Sequence, residues 1–546
     1  MLIMSSMLMI ISLMSLITSL ILSYKNTFIY MKIPMTILYS TQFPISLIFD
    51  WMSCMFMFTV TLISSMIMIF SLYYMPMKEH KQFSLLMLMF ILSMMILIFS
   101  NNLFLLLLGW DMLGMSSYIL VIFYQNHSSS SSGSITLLSN RMGDIFILLS
   151  ISILMPQSMW EFNMNNSFTL YSMFMLMMAS LTKSAQFPFS AWLPMAMSAP
   201  TPISALVHSS TLVTAGIYLM IRIMNNMHPM ISILLMMMSS FTAIYASLSA
   251  NWEQDLKKII ALSTLSQMAM MMFAISINST SLAYFHMIIH AFFKSLMFMC
   301  AGAMIHESSY QDMRMMSMNS MNIPLIQSTL SISNMALMGL PFTSGFFSKD
   351  MIIEKMISSK LECTFTMMMM MSIGMTAMYS LRMMIKSNTM MMKSKPDSTN
   401  HSSISLKLPI MLMMPMSIIL GIMMMWMMHP EQTFMLPNKM KTLIIMMLLL
   451  GMMMGFMLSF KSKKFLKMGH SSISLWFIHF ISTKIMTINS PLMYLNQKND
   501  KNWQESYGPK YLFNMTMKMS YLPEMNKYML LMILISMSII PMLMLM

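Results

Sequence analysis

Apolar runs of about 20 residues recur from one end of this chain to the other, and as helices such runs cross the hydrocarbon core of a bilayer. They fall near 1–23, 47–71, 83–100, 102–124, 134–155, 168–188, 202–223, 229–249, 256–277, 281–304, 322–341, 345–385 (long enough for two), 408–428, 440–460 and 527–546. The pattern predicts an all-α polytopic membrane protein with about fifteen transmembrane helices. A soluble reading fails on charge. Only 9% of the 546 residues are Asp, Glu, Lys or Arg, against about 25% in soluble domains. Periodicity gives no sign of a strand-based architecture. The first 22 residues lack a basic n-region and a small-residue cleavage site, so they read as a retained helix and not as a signal peptide.

The 96 methionines are spread through every apolar run instead of clustering around polar ligands. They replace Leu and Ile as flexible apolar filling and do not form a metal tract. Cys54, Cys300 and Cys363 sit far apart with no C-x-x-C pair, which excludes a disulfide framework and gives no support to a zinc or iron–sulfur site. The net charge is +14, but the bases lie in loops or in short stretches such as Lys461, Lys463, Lys464 and Lys467. Basic loops at membrane ends explain them better than a nucleic-acid partner. No G-x-G-x-x-G and no P-loop is present.

In so apolar a chain the informative residues are ionisable ones inside the spans, each costing about 2.5–3.5 kcal/mol at a helix centre on insertion scales. Asp111 lies in LFLLLLGWDMLGMSSY, and Arg141 and Asp144 open the next run three residues apart. Lys183 ends MFMLMMASLTK, His208 lies in SALVHSSTLVTAG, and Asp255, Lys257 and Lys258 open another span. Lys349 and Asp350 close PFTSGFFSKD. The sharpest constellation is YFHMIIHAFFKSLMF, where His286, His290 and Lys294 follow at i, i+4 and i+8. That spacing puts all three on one helical face, about 6 Å apart along the axis. Imidazoles and an amine on one stripe make a ladder fit for passing protons. Asp111 and Lys183 have opposite charges and are deep enough to pair across helices.

Prolines interrupt two of the spans. Pro188, Pro194, Pro200 and Pro202 lie between helical runs, and Gly339, Pro341 and Gly345 come just before Lys349. Proline breaks a membrane helix, and the freed backbone groups need a cavity or a protein partner. Paired breaks, each beside a buried lysine, predict two inverted-topology repeats with an ion path near the midplane. The expected organisation is N-terminal helices over 1–100, a core of two inverted repeats over 101–385 and additional helices over 386–468. A lateral amphipathic segment over 469–526 and a C-terminal anchor over 527–546 complete it. KSNTMMMKSKPDSTNHSS is a polar connection, and Ser128–Ser132 with Gly133 reads as a flexible loop without chemistry.

GWDMLGMSSY (109–118), SNRMGDIF (139–146), LTKSAQFPFSAWLPMAMSAPTPISALVHSSTLVTAG (181–216), DLKKIIALSTLSQM (255–268), HAFFKSLMFMCAG (290–302) and GLPFTSGFFSKD (339–350) resemble the antiporter-like core membrane subunits of mitochondrial respiratory complex I. The resemblance covers roughly residues 100–385 and is specific. It implies a proton relay of Asp111, Lys183, Lys294 and Lys349. Arg141, Asp144, His208, Asp255, Lys257, His286, His290 and Asp350 would form the supporting polar axis. Asp111 stands where the family usually has a glutamate that pairs with the lysine matching Lys183, and Met112 stands where a glycine follows. The N-terminal region looks one helix shorter than in many relatives.

Dense Met also fits an animal mitochondrial genome in which AUA is read as Met, so the resemblance implies a multi-pass protein of the mitochondrial inner membrane, made without a targeting peptide. It further implies proton translocation coupled to electron transfer from NADH to ubiquinone. The chain itself would bind no cofactor, with FMN, iron–sulfur clusters and ubiquinone on other subunits. Expected partners are neighbouring antiporter-like and other membrane-arm subunits, accessory subunits and phospholipids such as cardiolipin. A sodium/proton antiporter subunit and a largely structural clamp of the membrane arm are the alternatives.

Overall fold

The computed structural model describes residues 1–38, 41–157, 160–162, 169–223, 228–316, 324–358, 363–388, 403–428, 438–460 and 490–520, with Gly469, Ser471, Ser472, Lys484 and Met532. Two units separate, Met1–Trp476 and Phe477–Met546. Among the described residues, ten helices are long and apolar enough to cross a membrane. The expected helix 527–546, apart from Met532, and the Lys461–Lys467 stretch lie outside the described residues, as does most of the polar connection after Lys386.

The first unit begins with α1 (Leu2–Lys25), a hairpin of β1 (Ile29–Leu38) and β2 (Thr41–Phe49), and α2 (Trp51–Tyr74). Next come α3 (His80–Phe99), α4 (Leu103–Val121), α5 (His127–Leu154), α6 (Leu170–Lys183) and, after a short turn at Trp192–Met195, α7 (Thr201–Ile223). Then α8 (Pro229–Trp252), α9 (Leu256–Ser276), α10 (Thr280–Ser308), α11 (Pro324–Met338), α12 (Ser344–Ser358) and α13 (Cys363–Asn388) follow, with α14 (Ile404–Met428) and α15 (Asn438–Phe460) last. The run 345–385 is thus two helices. The helix run is broken after Lys183 in α3–α7 and between α11 and α12 in α8–α13, one break in each of two successive sets of helices, where the prolines predict them.

Two local expectations are corrected. Ser128–Ser132 is not a loop but the first turns of α5, started by a capping box between Asn126 and Ser129. The hydroxyls of Ser129, Ser130, Ser131 and Ser132 each donate to the carbonyl three residues back at 2.8–2.9 Å, so they no longer compete with the helix for backbone partners. Arg141 and Asp144 therefore sit in mid-helix, not at its start. The second correction is the antiparallel hairpin, paired from Ile29↔Phe49 to Leu38↔Thr41. Its apolar residues run into those of α2, and a proline stands in each strand at the Pro34↔Pro44 pair, which hides the strand signal. The Tyr30 hydroxyl donates to Glu161 at 2.7 Å and Lys32 pairs with the same carboxylate at 2.8 Å.

The core lies around α7, α9 and α10, whose apolar windows are wholly buried. α10 packs against α2, α7, α9, α11, α12 and α14. α4 and α5 expose Leu108, Met112, Leu138 and Leu148 on their outer faces, the surface a lipid-facing helix presents. In the second unit, Ser490–Lys498 and Pro509–Ser520 are helical. They mix exposed Leu492, Leu495 and Phe513 with Lys498, Lys510 and Lys518.

Candidate functional site

The first half of the site is built by α4, α5 and α6. Arg141 Nη1 lies 3.5 Å from Asp111 and 3.1 Å from Asp144, so one guanidinium joins two carboxylates from adjacent helices. Lys183, fully buried at the last turn of α6, donates to the Trp110 carbonyl at 3.1 Å and lies 5.0 Å from the centre of that indole. No ion pair among the described residues joins Lys183 to Asp111; Arg141 has taken the carboxylate. The direct Asp111–Lys183 contact that opposite charge suggested is replaced by neighbours one residue away on α4. Close approach of α5 to α6 depends on Gly143, where a Cβ would stand 2.3 Å from Thr182 Oγ1.

Past Lys183 the helix opens, and its freed groups find protein partners. Trp192 Nε1 donates to the Thr182 carbonyl at 3.0 Å, and the Gln186 side chain donates to Ser184 and accepts from Thr242. This is the condition for irregular backbone at membrane depth. α7 then passes through a π-helical stretch, Ser204–Thr211, which carries His208; such stretches recur at functional sites. His208 is buried with its ring 6.1 Å from Trp192, and neither nitrogen has a partner among the described residues.

The second half centres on α10. Lys294 donates to Ser263 Oγ of α9 at 2.5 Å. One turn away, His290 packs edge-on to Phe293 and 6.2 Å from the ring of His286, with neither nitrogen bonded among the described residues. His286 is held at both nitrogens, by Ser348 of α12 at 2.8 Å and Gln267 of α9 at 3.1 Å. Lys349, next to Ser348, donates to the Leu337 carbonyl at the end of α11, with Asp350 half-buried beside it. Gly339 adopts φ +81 at the break. At Gly345 a Cβ would fall 1.9 Å from the Ala336 carbonyl oxygen, so only glycine lets α12 lie this close to α11. His286, His290 and Lys294 are all fully buried, as their shared face requires. Between the halves, Lys257 is buried and donates to the Ala199 carbonyl at 3.2 Å, whereas Lys258 pairs with Asp255 at 2.8 Å near the surface.

Sequence reasoning missed Ser263, Gln267 and Ser348, which connect the charged groups, and Tyr379 of α13, whose hydroxyl lies 3.4 Å from Ser266. Serine is so frequent in this chain that no local pattern marks these few. It also missed the Asp50–Arg222 ion pair, to which Tyr218 adds its hydroxyl. That pair sits at a membrane end, away from the axis. Among the described residues no group of three or more His, Cys, Asp and Glu is placed to hold a metal. The groups on the axis are amines, imidazoles, carboxylates and hydroxyls, which exchange protons.

Two successive sets of helices, each with a broken helix beside a buried lysine, define the class of antiporter-like membrane subunits. The family described as NADH:quinone oxidoreductase/Mrp antiporter matches residues 100–379, and those for the complex I chain 5 N-terminus and the subunit 5 C-terminus match 35–84 and 379–546. The chain is 42% identical over 501 residues to NADH-ubiquinone oxidoreductase chain 5 of Aedes aegypti, covering 87% of this chain and 86% of that one. It is 39% identical over 513 residues to the chain 5 of Lumbricus terrestris, covering 88% and 87%. In fold it is similar to a chain of the Mrp complex from a Dietzia species, with TM-score 0.76 and 20% identity. That match covers 96% of this chain, which spans 64% of the Mrp chain's length. The chain belongs to the NADH-ubiquinone oxidoreductase chain 5 family.

Proposed function

We propose that this chain is the proton-translocating chain 5 subunit of respiratory complex I in the mitochondrial inner membrane, and that its buried polar axis is the relay. The observation that carries the reading is the set of buried polar groups around α10: Lys294 on Ser263, and His286 on both Gln267 and Ser348, beside Lys349. Charges so placed are costly in a membrane protein, and groups of this kind mark ion and proton routes. Asp111, Arg141, Asp144 and Lys183 form the first station, with His208, Asp255 and Lys257 leading on. Lys294, His290, His286 and Lys349 with Asp350 form the second. The two broken helices let each station open toward a different side.

Coupling is electrostatic. Moving one charge against the membrane potential costs about 2.3 kcal/mol per 100 mV, and a two-unit change in a group's proton affinity corresponds to about 2.7 kcal/mol. Redistributing charge among neighbouring buried groups is therefore of the right size to drive a proton. FMN, iron–sulfur clusters and ubiquinone belong to other subunits, and this chain contributes translocation, not electron transfer. Its partners are the other membrane-arm subunits, accessory subunits and phospholipids such as cardiolipin, with 469–526 as the lateral segment that contacts them.

Mildly solubilised native membranes separated on a non-denaturing gel test the assignment. Peptides of this chain are expected in the largest band stained for NADH dehydrogenase activity. Recovery only in a smaller assembly without that activity, with sodium-dependent exchange, would replace the reading by an antiporter.

A further inference from the structure

Tyr379 is 1% exposed on α13, a helix to which the relay above assigns nothing. Its hydroxyl lies 3.4 Å from Ser266 Oγ and also faces Ser263 and Gln267. Two of these α9 residues hold the ends of the α10 ladder: Ser263 accepts from Lys294 at 2.5 Å, and Gln267 meets His286 at 3.1 Å. One phenol thus stands beside the groups that grip both the amine and the far imidazole. A hydroxyl donates and accepts at once, so it passes a proton while staying neutral.

The same face of α13 continues outward. Arg382 and Lys386 follow Tyr379 at i+3 and i+7, the spacing of one helical stripe. Arg382, 4% exposed, donates to the carbonyls of Ala250 and Glu253 at the end of α8, and Lys386 reaches the Gln254 side chain at 3.5 Å. Around this end lie Lys258 paired with Asp255 and Arg314 paired with Asp312. Burial pushes the half-buried Glu253 carboxyl above its ordinary value, which suits a group that takes up and releases a proton. α13 therefore carries polar side chains from the centre of the protein to a charged membrane end.

We infer that Tyr379 is a further proton-relay residue, linking the Lys294–His286 ladder along α13 to the Glu253 end of the protein. The inference rests on the relay reading of α10. A proton leaving the Lys294 ammonium passes onto a hydroxyl lone pair as that hydroxyl releases its own, so Ser263 and Tyr379 end neutral. From Tyr379 the proton passes along α13 to the Glu253 carboxylate by way of solvent water admitted past Arg382, and Lys294 is refilled from the first station.

Tyr379→Phe removes only the hydroxyl. In the intact complex reconstituted into vesicles, the protons translocated per NADH oxidised should fall by the same factor as in Lys294→Met. NADH oxidation by an artificial acceptor should stay unchanged. Tyr379→Phe at the unsubstituted ratio, beside a lowered Lys294→Met, overturns the inference and leaves the relay standing. Both variants at the unsubstituted ratio overturn the relay itself. Ser266→Ala attacks the same contact from α9 and should also lower the ratio, even if Tyr379→Phe does not assemble; an unchanged ratio there counts against the inference. Combined with Tyr379→Phe it should add nothing, and an additive loss would place the two residues on separate routes.

Discussion

Gly345→Ala should separate α12 from the rest of the relay. The added Cβ would stand 1.9 Å from the Ala336 carbonyl oxygen and 3.0 Å from its carbon. Ordinary contact begins near 3.4 Å, so α12 must retreat or turn by about 1.5 Å. A backbone carbonyl offers no rotamer that moves aside. The His286–Ser348 contact is 2.8 Å, and a shift of that size takes it outside hydrogen-bond range. Overpacking costs about 1–3 kcal/mol, the His286–Ser348 bond about 0.5–1.5 and the Lys349 bond to Leu337 about 1.5–3. Together they reach about 3–7.5 kcal/mol, which the helix preference of Ala over Gly, about 1 kcal/mol, does not offset. Gly374→Ala on α13 is the matched control, because its Cβ meets only the Met447 carbonyl at 3.4 Å. Native gels should show less assembled complex for Gly345→Ala, and what assembles should pump fewer protons per NADH oxidised. Both quantities at control levels would refute the packing argument and the role given to α12.

Ser263→Ala removes the acceptor 2.5 Å from Lys294. A hydrogen bond to a charged group contributes about 1.5–3 kcal/mol, so NADH-driven proton uptake by vesicles should slow by about 10–100-fold if that bond is made in the transfer step; an unchanged rate counts against it. Lys183→Met should lower the proton-to-electron ratio more than Arg141→Gln, since Lys183 is fully buried while the Arg141 side chain is 43% exposed and exposed pairs contribute only about 0–1 kcal/mol. The reverse ranking would make the Asp111–Arg141–Asp144 cluster, and not Lys183, the critical part of the first station. Asp50→Asn breaks the pair with Arg222 away from the axis, so it should lower the amount of complex without changing the ratio of the complex that remains. A changed ratio would bring that end of the protein into the relay.

The charged residues of the site were legible because charge inside an apolar run is costly and therefore conspicuous. His286, His290 and Lys294 announced a common face by spacing alone, and the prolines located both broken helices. What connects those charges was not legible. Ser263, Gln267 and Ser348 differ from dozens of other polar residues only in what lies opposite, which is set by packing of α9 and α12 on α10. Replacement of the Asp111–Lys183 contact by Arg141 and the Trp110 carbonyl is of the same kind, a choice among neighbours made in three dimensions. The serine tract misled for a different reason. Its hydroxyls favour loops in water, but in α5 each returns to its own helix.

The most direct measurement on the central claim is the number of protons translocated per NADH oxidised by complex carrying Lys294→Met, reconstituted into sealed vesicles. The relay predicts a lowered ratio while NADH oxidation by an artificial acceptor continues and the complex remains assembled. An assembled complex with an unchanged ratio would contradict it.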